Sequence, residues 1–145
     1  MKKKLEIIIL IILGLVILDQ LSKYFFYDLK VFTGHFFFYP LFNTGISRGI
    51  PIPQPLIMLI SFLCVIFFVY LYYKKYLTFW EISLFIAGTI GNLLDRCFLG
   101  GVRDFISLGN FPVFNLADVF LTSAVIILCI REFLHLQSKK KTLNC

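Results

Sequence analysis

Four apolar runs, each long enough to cross a bilayer as a helix, dominate this chain of 145 residues. A hydrocarbon core about 30 Å thick needs roughly 20 helical residues. The runs at approximately 5–26, 55–73, 77–96 and 113–133 meet that length. No water reaches the backbone inside a bilayer, so a segment of this length satisfies its own polar groups by folding as a helix. The composition agrees: 59% of residues are hydrophobic, 15% are charged, and the mean hydropathy is +0.89. Soluble domains have about 45–50% apolar and about 25% charged residues. So short a chain cannot hide this much apolar surface in a core of its own. The expected fold is an all-α polytopic membrane protein, four transmembrane helices in a single domain over residues 1–145.

The formal charge of +6 points to orientation rather than to nucleic acid. Of the 14 Lys and Arg residues, nine lie at 2–4, at 74–75, and at 131 with 139–141. Each cluster flanks an apolar run, as expected at the cytoplasmic ends of membrane helices. Both termini are then cytoplasmic, and the loops near 27–54 and 97–112 face outward. Tyr24, Tyr27, Tyr70, Tyr72, Tyr73, Tyr76 and Trp80 stand near span ends, where amphipathic rings favour the interface. The lysines at 139–141 suit anionic lipid. Residues 1–18 look like a secretory signal, but the apolar stretch runs on through Asp19 with no small-residue cleavage site, so an uncleaved first span is expected.

The first outer loop is more than a linker. Its sequence VFTGHFFFYPLFNTGISRGI, at 31–50, has aromatic and alternating stretches broken by Gly34, Pro40, Gly45 and Gly49, the pattern of short strands. Pro51, Pro53 and Pro55 then stop any ladder before the second span. A small extracytoplasmic β-sheet is expected in this loop.

Charges inside the spans carry the functional information. An Asp, Lys or Arg near a helix centre costs about 2.5–3.5 kcal/mol on insertion. Asp19, Lys23, Asp95, Arg96 and Asp118 nevertheless lie within or at the edges of the runs. Such residues face the bundle interior, pair with one another and mark a function. Asp19 and Lys23 share a helix face at i, i+4. Asn92, Asp95 and Arg96 form a stripe on the third span, and Asn115 and Asp118 stand three apart on the fourth. At 1.5 Å per residue, Asp19 lies about 20 Å above the start of its helix. All four of Asp19, Asp95, Asp104 and Asp118 then gather near the outer interface.

Two carboxylates brought close cannot both ionise, so one keeps a proton while the other acts as base. Such a pair hydrolyses a peptide bond: the base takes a proton from water, and the acid protonates the carbonyl and then the leaving amine. No Ser–His–Asp set, HExxH or Cys/His cluster competes, and Cys64, Cys97, Cys129 and Cys145 have no metal or redox spacing. No metal and no cofactor is expected. Bland readings exist for the same residues: Asp19–Lys23 as a structural ion pair, Asp95–Arg96 as a helix-end cap with Arg96 snorkelling, and Glu81, His35 and His135 as interfacial residues without a role. From another class, a small proton-coupled four-span transporter would use Asp19 or Asp118, but it calls for an acidic residue near midplane and an internal repeat. A non-enzymatic scaffold would use the polar stripes only to bind helices together.

DQLSK at 19–23, FNTG at 42–45, GNLLDR at 91–96, GGVRDF at 100–105 and FNLAD at 114–118 occur in this order. Together they resemble the signature boxes of bacterial lipoprotein signal peptidase, or signal peptidase II, over nearly the whole chain. The resemblance implies an aspartic endopeptidase of the bacterial cytoplasmic (inner) membrane, with Asp104 and Asp118 as the catalytic dyad. Asp19, Lys23, Asn43, Gly45, Asn92, Asp95, Arg96 and Asn115 would shape the site or contact substrate. The implied substrate is a diacylglyceryl prolipoprotein, cleaved just before its lipidated cysteine by a monomeric enzyme that the cyclic peptide globomycin inhibits. Two positions depart from the family pattern. Ile46, Ser47 and Arg48 follow FNTG where small residues and then Phe are usual, and Ala87 stands where Gly is frequent.

Overall fold

Each apolar run is a helix in the computed structural model, which describes residues 2–32, 37–45 and 52–143. Helix α1 spans Lys2–Lys23 and passes into a π-helical turn, Tyr24–Asp28. Strand β1 follows at Phe38–Asn43, then α2 at Gln54–Tyr73 and α3 at Phe79–Leu99. Strand β2 at Val102–Ile106 leads to α4 at Leu116–Leu143. All four helices are long and apolar enough to cross a membrane.

Helix α3 is the axis of the bundle and packs on α1, α2 and α4. It starts at a capping box, in which Thr78 Oγ1 accepts from the Glu81 N–H while Glu81 Oε2 accepts from the Thr78 N–H. Arg131 of α4 donates to the same carboxylate at 2.5 Å, which gives the buried Glu81 its countercharge. Gly88 and Gly91 let the neighbouring helices approach, as small residues do in membrane bundles. A Cβ on Gly88 would stand 2.6 Å from the Ala117 carbonyl, and one on Gly91 2.6 Å from Asp19 Oδ2. Ala87 is fully buried in this interface. Helix α3 continues past Asp95 and Arg96 and ends at Gly100, whose φ of +78° turns the chain toward β2.

The sheet has two antiparallel strands, one from each long loop, rather than lying within the first loop alone. Leu41 pairs with Asp104, Phe42 with Arg103 and Asn43 with Val102; the ladder is irregular between Phe38 and Leu41. Pro40 lies in that interval and has no N–H to give. A six-residue strand needs a partner for its backbone groups, and β2 supplies one. Phe26, from the π turn, stacks between Phe38 of β1 and Phe105 of β2, with centroids 4.8 and 5.2 Å away. The sheet is thereby fastened to the end of α1.

The fourth helix begins at Leu116, three residues later than the apolar run. Phe114 is held in an extended bridge to Ile106, so the stretch before Asn115 extends the sheet instead. His35, and the Ile46, Ser47 and Arg48 departure, lie outside the described residues.

Gly91→Ala is expected to destabilise the protein by about 1–3 kcal/mol, because the new methyl overpacks a closed helix contact. Gly14→Ala, where a Cβ would meet nothing within 4 Å, is the control. Thermal unfolding in detergent should show a lower midpoint for the first variant and none of that loss for the second.

Candidate active site

One end of the bundle holds a continuous polar network built from all the boxed segments. At its centre is the Lys23 ammonium, fully buried with Asp19 one helical turn before it. Lys23 Nζ lies 2.8 Å from Asp19 Oδ2 and 3.5 Å from Asp95 Oδ2. It also donates to the Gly91 carbonyl and to Asn92 Oδ1, each at 3.2 Å. Asp19 Oδ1 accepts the Ala117 N–H at 2.8 Å, an orphan donor of the first turn of α4. A single ion pair thus ties α1 to α3 and α4.

Asn92 and Asn115 carry the network forward. Asn115 is the N-cap of α4. Its Oδ1 accepts from the Asp118 N–H, while Asp118 Oδ2 accepts from the Asn115 N–H, both at 3.1 Å. This is a capping box with Asp in the place of Glu, and it fixes the Asp118 carboxyl in the first helical turn. The other oxygen, Oδ1, accepts from Asn92 Nδ2 at 2.8 Å. Asn115 Nδ2 donates both to Asn92 Oδ1 at 3.0 Å and to Asp104 Oδ1 at 2.7 Å. Asn115 therefore bridges the two carboxylates directly.

Asp104 comes from the other side, on β2. Asn43 Nδ2, from the paired strand, donates to its Oδ2 at 3.1 Å, and the Asn43 side chain is in turn set by the Gly45 N–H at 3.1 Å. Among the described residues, every carboxylate oxygen of Asp104 and Asp118 accepts one such bond, which leaves each a lone pair for a ligand or a proton. The two residues share a cavity of about 670 Å³ with Asn43, Asn92 and Arg96. Its remaining wall is mainly apolar, formed by Phe111, Val113, Val119 and Ile126 among others. Arg96 stays inside the bundle, its Nη1 3.4 Å from the Asn92 carbonyl, rather than reaching away from it. Burial first, and then the charge of Asp118, push the Asp104 carboxyl up from 3.8 to about 6; the Asn43 and Asn115 amides and Lys23 oppose this.

Of the residues singled out from sequence, Asn43, Asn92, Arg96, Asp104 and Asp118 meet at the cavity, with Asn115 between them. Gly45 supports Asn43, and Asp19, Lys23 and Asp95 form the buried base behind it. Three residues were not singled out: Gln20, Asp28 and Arg103. Arg103 forks onto Asp95, with Nε 3.2 Å from Oδ2 and Nη2 2.9 Å from Oδ1, and reaches Asp28 through Nη1 at 2.5 Å. Gln20 accepts from Arg103 Nη2 at 2.9 Å and donates to the Gly91 carbonyl at 3.1 Å. A signal existed for Arg103, since an arginine beside an aspartate on a strand must point to the opposite face and find acids there.

Four spanning helices with paired carboxylates at a cavity define a polytopic membrane protein whose polar site is built from helix ends and a two-stranded sheet. The chain belongs to the signal peptidase II family, a family of proteases: the profile described as "Signal peptidase (SPase) II" matches residues 11–134. It is 40% identical to a lipoprotein signal peptidase of Rickettsia akari, over 81% of this chain and 70% of that protein. It is 35% identical to one of Microcystis aeruginosa, over 88% and 91%. Among solved structures, a bacterial membrane enzyme determined in meso at 2.3 Å resolution superposes with a TM-score of 0.77 at 34% identity, covering 93% of this chain and 92% of that one. Family membership removes the transporter and scaffold readings.

Asn115→Ala is expected to cost about 1–3 kcal/mol, from the lost cap and from the carboxylate oxygen left unpaired. Equilibrium unfolding in detergent or bicelles measures it. A cost indistinguishable from zero would contradict the bridging role.

Proposed function

We propose that the chain is an aspartic endopeptidase that removes the signal peptide from diacylglyceryl-modified prolipoproteins, cutting just before the lipidated cysteine. The observation that carries this reading is the pair Asp104 and Asp118, bridged by Asn115 and facing one cavity. The similarity to lipoprotein signal peptidases supports the substrate class. The basic clusters at 2–4, 74–75 and 139–141 support cytoplasmic termini and a site at the outer face of the bacterial inner membrane. The lipidated cysteine of a precursor lies at that level, its acyl chains in the bilayer. The mostly apolar wall suits the adjoining signal segment. The enzyme is read as a monomeric single domain, with a globomycin-type cyclic peptide as inhibitor.

The unequal surroundings of the two carboxyls divide the labour. Asp104, with its carboxyl pushed up to about 6, holds the proton. Asp118 lies in the first turn of α4, where the helix dipole suits a negative charge, and it acts as base. Water attacks the scissile carbonyl carbon while Asp118 takes its proton and Asp104 gives its own to the carbonyl oxygen. The C–N bond of the resulting gem-diol breaks as Asp118 passes its proton to the leaving nitrogen. Asp104 regains a proton from a diol hydroxyl, and both groups return to their starting states. Arg96, at the same cavity, has a buried Nε without a hydrogen-bond partner among the described residues. We read Arg96, as a residue of this cavity wall, as the cation that meets the substrate.

Asp104→Asn and Asp118→Asn should each remain folded and membrane-inserted yet lose cleavage by at least about 10²–10⁴-fold, the usual scale of acid–base assistance. The assay uses purified protein with a synthetic diacylglyceryl precursor and its unlipidated twin, and only the lipidated one should be cut. Normal cleavage by either variant would overturn the dyad.

The pH dependence has a defined sign. Because the native state holds the Asp104 proton more tightly than the unfolded chain, this group stabilises the fold most below pH 3.8, and that stabilisation falls as pH rises to about 6. An acid that must be protonated to work gives a rate that declines through the same upper value. A pH–rate profile with an alkaline limb near pH 6, assigned to the pair as a unit, is expected. A rate constant up to pH 8 would rule out Asp104 as the proton donor.

A further inference from the structure

The boxed residues leave one strongly held side chain without a role, Arg103. Strand alternation sends it and Asp104 to opposite faces of β2. Val102 and Asp104 face the cavity, while Phe105, on the Arg103 side, packs on Phe26 of the π turn. On that same side the guanidinium gathers three elements. Its Nε and Nη2 fork onto Asp95 of α3, and the Arg103 N–H donates to the same carboxylate at 3.0 Å. Its Nη1 meets Asp28 at the end of the π turn, and its Nη2 meets Gln20 of α1. The π turn matters here, because π-helical insertions reset the direction in which the following side chains point.

A two-stranded ribbon is marginal when unsupported, and β1 holds β2 by an irregular ladder. The position of Asp104 therefore depends on what holds β2 to the helices. We infer that Arg103, through its fork on Asp95 and its bond to Asp28, is a positioning residue for Asp104, fixing the separation of the two carboxylates on which catalysis depends. This rests on the dyad reading above. Arg103 does not face Asp104, and its charge is met by Asp95 and Asp28, so it acts through geometry. A planar fork with five donors can hold three partners at once, and a lysine ammonium cannot do so in the same geometry.

Cleavage kinetics on the diacylglyceryl precursor test it with the full-length protein in detergent. Arg103→Met should lower kcat by about a hundredfold, the cost of a misplacement on the order of 1 Å, while KM changes less than about twofold. Arg103→Lys keeps the charge but loses the fork, and should lose nearly as much. Asp104, once loosened, is less buried and less coupled to Asp118, so the alkaline limb should move to lower pH. Removing Arg103 also leaves Asp95 with Lys23 as its remaining cation, which endangers folding. Asp28→Asn avoids this: it loosens only the partly exposed arm, with an expected two- to fivefold loss of about the size an exposed pair allows. Added to Arg103→Lys, it should cost nothing further.

A folded Arg103→Met with kcat within twofold of the parent would overturn the inference. So would a loss carried by KM, which would mark a substrate contact, or an alkaline limb unmoved or moved to higher pH, which would mark a direct effect of charge. Asp28→Asn with unchanged kcat would overturn it as well. Asp104→Asn separates the two claims: if that variant still cuts, the dyad reading itself falls, whereas an inactive Asp104→Asn beside a normal Arg103→Met removes only the positioning role.

Discussion

The buried ammonium of Lys23 is the interaction on which the rest of the site depends. Each charge set at membrane depth costs about 2.5–3.5 kcal/mol on insertion scales, and Asp19, Lys23 and Asp95 are all buried within one cluster. Two carboxylates and one ammonium leave a formal charge of −1, which the Arg103 guanidinium closes to zero from the direction of the sheet. Removing any member leaves the cluster with an uncompensated net charge among apolar helices. The cluster is therefore held to one arrangement, and that arrangement sets the angle and height at which α1, α3 and α4 meet.

The Asp104 and Asp118 carboxyls stand on this base without belonging to it. Asn92 touches Lys23 on one side and Asp118 on the other, and Asn115 passes from Asn92 to Asp104. Amides suit these positions because each both donates and accepts. They join the acidic residues without adding charge that would neutralise the pair. Gly91 makes room for this arrangement, since any side chain there would collide with Asp19. Of the two carboxyls, Asp104 arrives on a strand, which brings it over the helix ends from a separate segment of chain.

Much of this was legible in the sequence because the bilayer simplifies the problem. Length and apolarity identified α1 to α4, and i, i+4 spacing identified the Asp19–Lys23 pair. The pairing of β1 with β2 was not legible, since both strands are short, lie more than fifty residues apart, and one of them carries Pro40. The start of α4 was misplaced by three residues because Val113 and Phe114 are as apolar as the helix that follows. The Phe114 backbone is claimed by a bridge to Ile106, a tertiary effect that hydropathy does not register. The choice of Asp104 and Asp118 came from the boxes: depth alone gathered four aspartates and could not separate the salt-bridged Asp19 and Asp95 from the two that face the cavity. The partners of Arg103 were not legible, since Gln20 of α1 and Asp28 of the π turn lie at the far end of the sequence.

We infer that Asp104 carries a proton in the cavity it shares with Asp118. Infrared difference spectroscopy across a pH titration, comparing the parent protein with Asp104→Asn, observes that proton directly through the carbonyl stretch of a neutral carboxylic acid. A carboxylic-acid band that fades as pH rises through about 6 and is absent from the variant is expected. A band that persists unchanged in Asp104→Asn, or no titrating band in the parent between pH 4 and 8, would contradict it.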